Sequence, residues 1–103
     1  MKILINNRAW EIKQVKADHE YLDGACGATV FQDSIIYINK DISSDLKKDT
    51  ILHELCHSYL FVLGFNQFPD GKFTEENVCD FFGSFSFELV QVAKKIFRSW
   101  KLS

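Results

Sequence analysis

The chain has 103 residues and one domain's worth of length. Hydrophobic residues make up 47% and charged residues 25%, so a disordered tail or a low-complexity linker is excluded. Twelve basic against fourteen acidic side chains leave a net charge of −2, which offers no general attraction to nucleic acid or anionic lipid.

Residues 1–15 read as a hairpin. Ile3, Leu4 and Ile5 form the first strand, Asn6-Asn7 is a turn signal, and Trp10, Ile12 and Val15 resume an apolar pattern. That N-terminus is too short in apolar residues for a signal peptide. Residues 16–27 are polar and irregular. Ala28 to Phe31 and Ser34 to Ile38 read as two short strands around Gln32-Asp33. The β-branched and aromatic Ile35-Ile36-Tyr37-Ile38 suits a buried or an edge strand.

A helix starts near Ser43 or Ser44, both good N-caps, with Asp45 in its first turn. Leu52, Leu55, Cys56, Tyr59, Leu60 and Leu63 recur at helical spacing, and Gly64 followed by Phe65 suits its C-terminal cap. The loop over 65–73 holds the only proline, in Pro69-Asp70-Gly71. Thr74 caps a second long helix, whose inward face is expected to carry Val78, Phe81 or Phe82, Phe85, Leu89, Val92 and Ile96. Lys94, Lys95, Arg98 and Lys101 at its far end read as a solvated face favoured by the helix dipole. Nine of the ten phenylalanines lie between Phe61 and Phe97, so the C-terminal half is expected to carry most of the core or an aromatic surface. The longest apolar stretch, Tyr59 to Phe65, is far short of a membrane span. Strands followed by two helices predict a single α+β domain over residues 1–103. Three cysteines, Cys26, Cys56 and Cys79, form no CxxC pair and no even set, which points to a reducing compartment and a cytoplasmic protein.

The first helix contains His53-Glu54-Leu55-Cys56-His57, an HExxH pattern. Residues four apart share a helix face, so both imidazoles can reach one cation. The intervening glutamate then sits at the rim of the site, where it can take a proton from a metal-bound water. A catalytic zinc site uses three protein ligands. Downstream acids are Asp70, Glu75, Glu76, Asp80 and Glu88. Glu76 and Asp80 are four apart on one face of the second helix, so Glu76 is expected as the third ligand and Asp80 as the carboxylate orienting a ligand histidine. With Val78, Phe82 and Phe85 facing inward, helical phase alone does not decide against Glu75; its pairing with Asp80 favours Glu76. His19 reads as a surface residue. Tyr37 and Tyr59 are candidate oxyanion donors, although a core role fits both better, and Cys56 reads as a small core residue.

The pair Thr50-Ile51-Leu52-His53-Glu54-Leu55-Cys56-His57 and Thr74-Glu75-Glu76-Asn77-Val78-Cys79-Asp80 resembles the gluzincin zinc metallopeptidases, in which HExxH is followed by Glu-x-x-x-Asp on a second helix. The short form looks most like the phage- and mobile-element-associated ImmA/IrrE-type metallopeptidases. That resemblance spans about residues 34–85. It implies a minimal zincin-like domain with His53, His57 and Glu76 on zinc and Glu54 as base. It also implies an intracellular protein substrate, such as a phage or element repressor. The alternative is a protein-binding module of the same fold, with a structural or vestigial metal site. An edge strand, expected at Ile35 to Ile38, is where a peptide substrate would pair.

Overall fold

The computed structural model describes residues 1–64 and 72–103. It shows an α+β domain: a four-stranded sheet followed by two helices. Strands β1 (Lys2–Ile5) and β2 (Arg8–Val15) form the expected hairpin, paired antiparallel with Ile3 opposite Trp10. Asn6 and Asn7 both take positive φ, 48° and 66°, in the two-residue turn. Asparagine tolerates that left-handed backbone, and its twist matches that of the flanking strands.

Strand β3 (Gly27–Val30) leads through a 3-10 turn at Phe31–Asp33 into β4 (Ile35–Asn39). The sheet order is β1-β2-β4-β3, with β4 parallel to β2 and antiparallel to β3. The expectation of an edge strand at Ile35 to Ile38 is therefore corrected. Ile36 and Ile38 are fully buried because β4 is paired on both sides, and the two edge strands are β1 and β3, of which β3 is the neighbour of β4.

Helix α1 (Ser44–Val62) begins at Ser43, whose hydroxyl accepts the Leu46 N–H at 3.2 Å. It ends before Gly64, which takes φ +80° as a left-handed C-terminal residue should. The expected contact of that cap with Phe65, and the turn at Pro69-Asp70-Gly71, lie outside the described residues. Helix α2 (Glu75–Ser99) opens on a capping box, in which Thr74 and Asn77 bond each other's backbone N–H reciprocally. No helix among the described residues is long and apolar enough to cross a membrane.

The main core lies between one face of the sheet and the helices. Ile3, Ile5, Trp10, Ile12, Ile36 and Ile38 meet Ile51, Leu55 and Tyr59 of α1 and Leu89, Ala93 and Ile96 of α2. The opposite sheet face is covered by the irregular segment after β2, with Leu22 packed on Val30 and Tyr37. His19 is half-buried there, its ring stacked on Tyr37 at 4.8 Å and its Nδ1 accepting the Tyr21 N–H. It is thus a packing residue rather than a plain surface one.

Packing decides two expectations about the C-terminal half. Among the described residues the core is built mainly of isoleucine and leucine and no phenylalanine is fully buried, whereas Phe82 and Phe87 are exposed, as an aromatic surface would have them. Phe61, Phe81, Phe85 and Phe97 pack at the margin of the core. The inward stripe of α2 runs through Phe81, Phe85, Leu89, Ala93 and Ile96, whereas Val78 and Phe82 are 55% and 68% exposed. Consecutive phenylalanines at 81 and 82 put an aromatic on each of two faces about 100° apart, and packing against α1 selects the first.

Candidate metal and peptidase site

Helix α1 presents three stripes, each about 100° round from the next. Ile51, Leu55 and Tyr59 face the core. Thr50, Glu54 and Ser58 are also buried, and Thr50 and Glu54 lie beneath β3. His53 and His57 stand next to them on the exposed side. The buried hydroxyls of Thr50 and Ser58 are satisfied along the helix, bonding to Leu46 O at 2.7 Å and Glu54 O at 3.0 Å.

The two imidazoles converge. Nε2 of His53 lies 3.2 Å from Nε2 of His57, with the rings edge to face at 4.8 Å. Two nitrogens each about 2.0–2.1 Å from one tetrahedral ion stand roughly 3.3–3.4 Å apart, so the pair as folded matches one edge of such a coordination sphere. Glu54 sits beside it with only 7% exposure. Its Oε1 accepts a hydrogen bond from Thr29 Oγ1 at 2.8 Å, and its Oε2 lies 3.8 Å from His53 Nε2. A cleft of about 320 Å³ opens here, walled by Ala25, Cys26 and Gly27 on one side and by Asp49, Thr50, His53 and Glu54 on the other.

Gly27 explains how β3 comes so close. A Cβ built there would stand 2.6 Å from Thr50 Cγ2 and 3.0 Å from Glu54 Cγ, with the Tyr37 carbonyl oxygen at 3.3 Å. The Thr50 rotamer is held by its own hydrogen bond, so the methyl has little room to yield. Gly27→Ala is expected to destabilise the fold by about 1–3 kcal/mol, the usual cost of overpacking, and to lift β3 from α1. Urea unfolding of the two proteins measures it; equal midpoints and slopes would show that the strand is not clamped there.

The carboxylates on α2 are placed differently from the expectation. The flank of α1 adjoining the histidines, at Cys56 and Leu60, meets Phe73, Asn77, Val78 and Phe81 across a small apolar pocket. Glu75, Glu76 and Asp80 are exposed, and Glu76 lies about 100° round the helix from Asn77. Among the described residues no three His, Cys, Asp or Glu side chains are grouped to hold a metal. The structure therefore joins His53, Glu54 and His57 and does not bring Glu76 or Asp80 to them. The reason is the corrected helical phase: the side of α2 that meets α1 is that of Asn77 and Phe81. Asp70 lies outside the described residues.

Neither tyrosine lines the cleft. Tyr59 is fully buried in the main core, and its hydroxyl has no hydrogen-bond partner among the described residues. Burial, and then the neighbouring Glu88 carboxylate, hold that phenol well above the ordinary tyrosine range. Tyr37 belongs to the far sheet face, where burial also raises its pKa. Cys56 is half-buried with its thiol pushed up by burial, as a packing residue would be.

Thr29, Gly27 and Asp49 were not singled out by the sequence. The available signal was the short strand 27–30, whose small residues let a backbone approach a helix closely. Nothing in spacing ties residue 29 to residue 54. Compared with protein-family models, curated proteins and solved structures, the chain matches none of them.

Proposed function

We propose that the chain is a zinc-dependent metallopeptidase of the minimal gluzincin kind, most like the ImmA/IrrE-type enzymes, acting on an intracellular protein substrate. One observation supports this best: two imidazole nitrogens 3.2 Å apart on one helix face, beside a buried glutamate whose free oxygen is turned toward them. A structural His–His pair has no need of that buried carboxylate, whose desolvation is costly.

His53 and His57 would hold the metal, with Glu76 as the third donor and Asp80 orienting a ligand. The motif supports those last two roles. Both are exposed and stand on a different side of α2 from the Asn77–Phe81 side that meets α1, so these two roles rest on the motif alone. Zinc in such a site supplies Lewis acidity and makes a water a better proton donor at neutral pH. Glu54 Oε2 takes the proton of the attacking water and later gives it to the leaving amine. The substrate chain adds to β3. Asn39 N–H donates to the Cys26 carbonyl at 2.8 Å, and antiparallel pairing alternates, so the peptide groups of Gly27 and Thr29 face the free edge. An extended peptide bonded there would run beside His53 and Glu54.

Protein purified without added zinc and analysed for metal is expected to carry about one zinc per chain. Glu76→Gln is expected to weaken zinc binding severely, Asp80→Asn by about 10–100-fold, and Glu75→Gln hardly at all. Competition with a chelating dye measures all three. Loss in Glu75→Gln with retention in Glu76→Gln would transfer the third ligand to Glu75, and absence of zinc from wild type would overturn the reading. A second reading, a non-catalytic protein-binding module, is favoured by the exposed phenylalanines of α2, with Phe82 68% and Phe87 77% accessible. It requires partner binding without hydrolysis.

A further inference from the structure

Glu54 has a flexible side chain, and its two oxygens are in different surroundings. Thr29 Oγ1 lies 2.8 Å from Glu54 Oε1 and 3.4 Å from the Glu54 carbonyl oxygen. A hydroxyl has one hydrogen, and the shorter contact, to a carboxylate, is the stronger acceptor. That bond turns Oε1 toward β3 and leaves Oε2 3.8 Å from His53 Nε2. The donor itself is fixed. Thr29 is β-branched and stiff at χ1. It sits opposite the buried Ile36 in the β3–β4 register, and its neighbour Gly27 lies hard against α1.

We infer that Thr29 is a positioning residue for Glu54: its hydroxyl selects the side-chain rotamer that keeps Oε2 at the His53–His57 pair. What Glu54 then does rests on the peptidase reading; that Thr29 holds it does not. Strand β3, one of the two edge strands of the sheet, is thereby also the strand that aims the carboxylate.

The test compares Thr29→Val, which keeps shape and removes the donor, with Thr29→Ser, which keeps the donor. In metal-free, isotope-labelled full-length protein, three-bond couplings to Glu54 Cγ and Cδ report its χ1 and χ2. Wild type and Thr29→Ser are expected to show one rotamer, and Thr29→Val an average over several. Thr29→Ala gives the same readout if the valine variant does not fold. In zinc-loaded protein assayed on a quenched-fluorescent peptide library, Thr29→Val is expected to lower kcat by about 10–100-fold with KM unchanged, and Thr29→Ser to restore most of it. A single wild-type rotamer in a folded Thr29→Val protein overturns the inference. Failure of wild type to cleave any peptide overturns the peptidase reading instead, and the couplings still decide the role of Thr29.

Discussion

Replacing His53 or His57 with alanine is expected to abolish stoichiometric zinc binding while leaving the metal-free protein folded and about as stable as wild type. The reason is exposure. The His53 side chain is 68% accessible and His57 is also exposed, while the core stripe of the same helix, Ile51, Leu55 and Tyr59, is fully buried and untouched by either change. Substitutions at exposed helix positions usually fall within about ±0.5 kcal/mol. The zinc-linked increment behaves differently. A ligand at 100 times its Kd stabilises the folded state by about 2.7 kcal/mol, and a variant that cannot bind gains none of it. Thermal unfolding with and without zinc, alongside metal analysis, therefore separates the two contributions. The wild-type midpoint is expected to rise with zinc and the variant midpoints to stay still. Zinc retained at one per chain in both single variants would remove the histidines from the site. A large loss of stability without metal would mean that the pair is a structural hydrogen bond.

Much of the scaffold was legible because its signals are local. Asn6-Asn7 announces a hairpin through backbone conformations that few residues tolerate, and Ser43 and Thr74 announce helix starts through oxygens that accept orphan N–H groups. HExxH was legible for the same reason, since one helical turn brings its two imidazoles together. What escaped depends on contacts distant in sequence. Strand order is one case: an apolar run such as Ile35 to Ile38 reads alike at an edge or in the centre, and only the return of β3 after β2 decides. The phase of α2 is another. Its phenylalanines occupy more than one face, so periodicity admits several inward stripes. Packing against β1 and α1 picks Phe81, Phe85 and Leu89, and thereby turns Glu76 and Asp80 outward. The bond from Thr29 to Glu54 spans 25 residues and has no local signature.

Glu54→Gln is expected to eliminate hydrolysis, lowering the rate by about 10²–10⁴-fold, without lowering zinc content or stability. Glutamine has the shape of glutamate, and its amide oxygen can still accept the Thr29 hydroxyl on the β3 side. The amide nitrogen then occupies the position of Oε2, facing His53, and cannot take up a proton. The direction of the stability change carries as much information as the rate. A carboxylate at 7% exposure is desolvated, and one hydroxyl donor offsets that cost only in part. A neutral amide avoids most of it, so Glu54→Gln is expected to unfold at the same denaturant concentration as wild type or at a higher one. A buried acid retained for folding would show the opposite sign. Stability gained together with activity lost marks a group kept for chemistry at a cost to the fold. The measurements are urea midpoints, metal content and cleavage of a peptide library by the two zinc-loaded proteins. Equal turnover would exclude Glu54 as the base. A destabilised variant that still binds zinc would place Glu54 with the structural residues beneath β3. Binding of the same protein partner by both, with hydrolysis by neither, would leave the protein-binding module as the function of this fold.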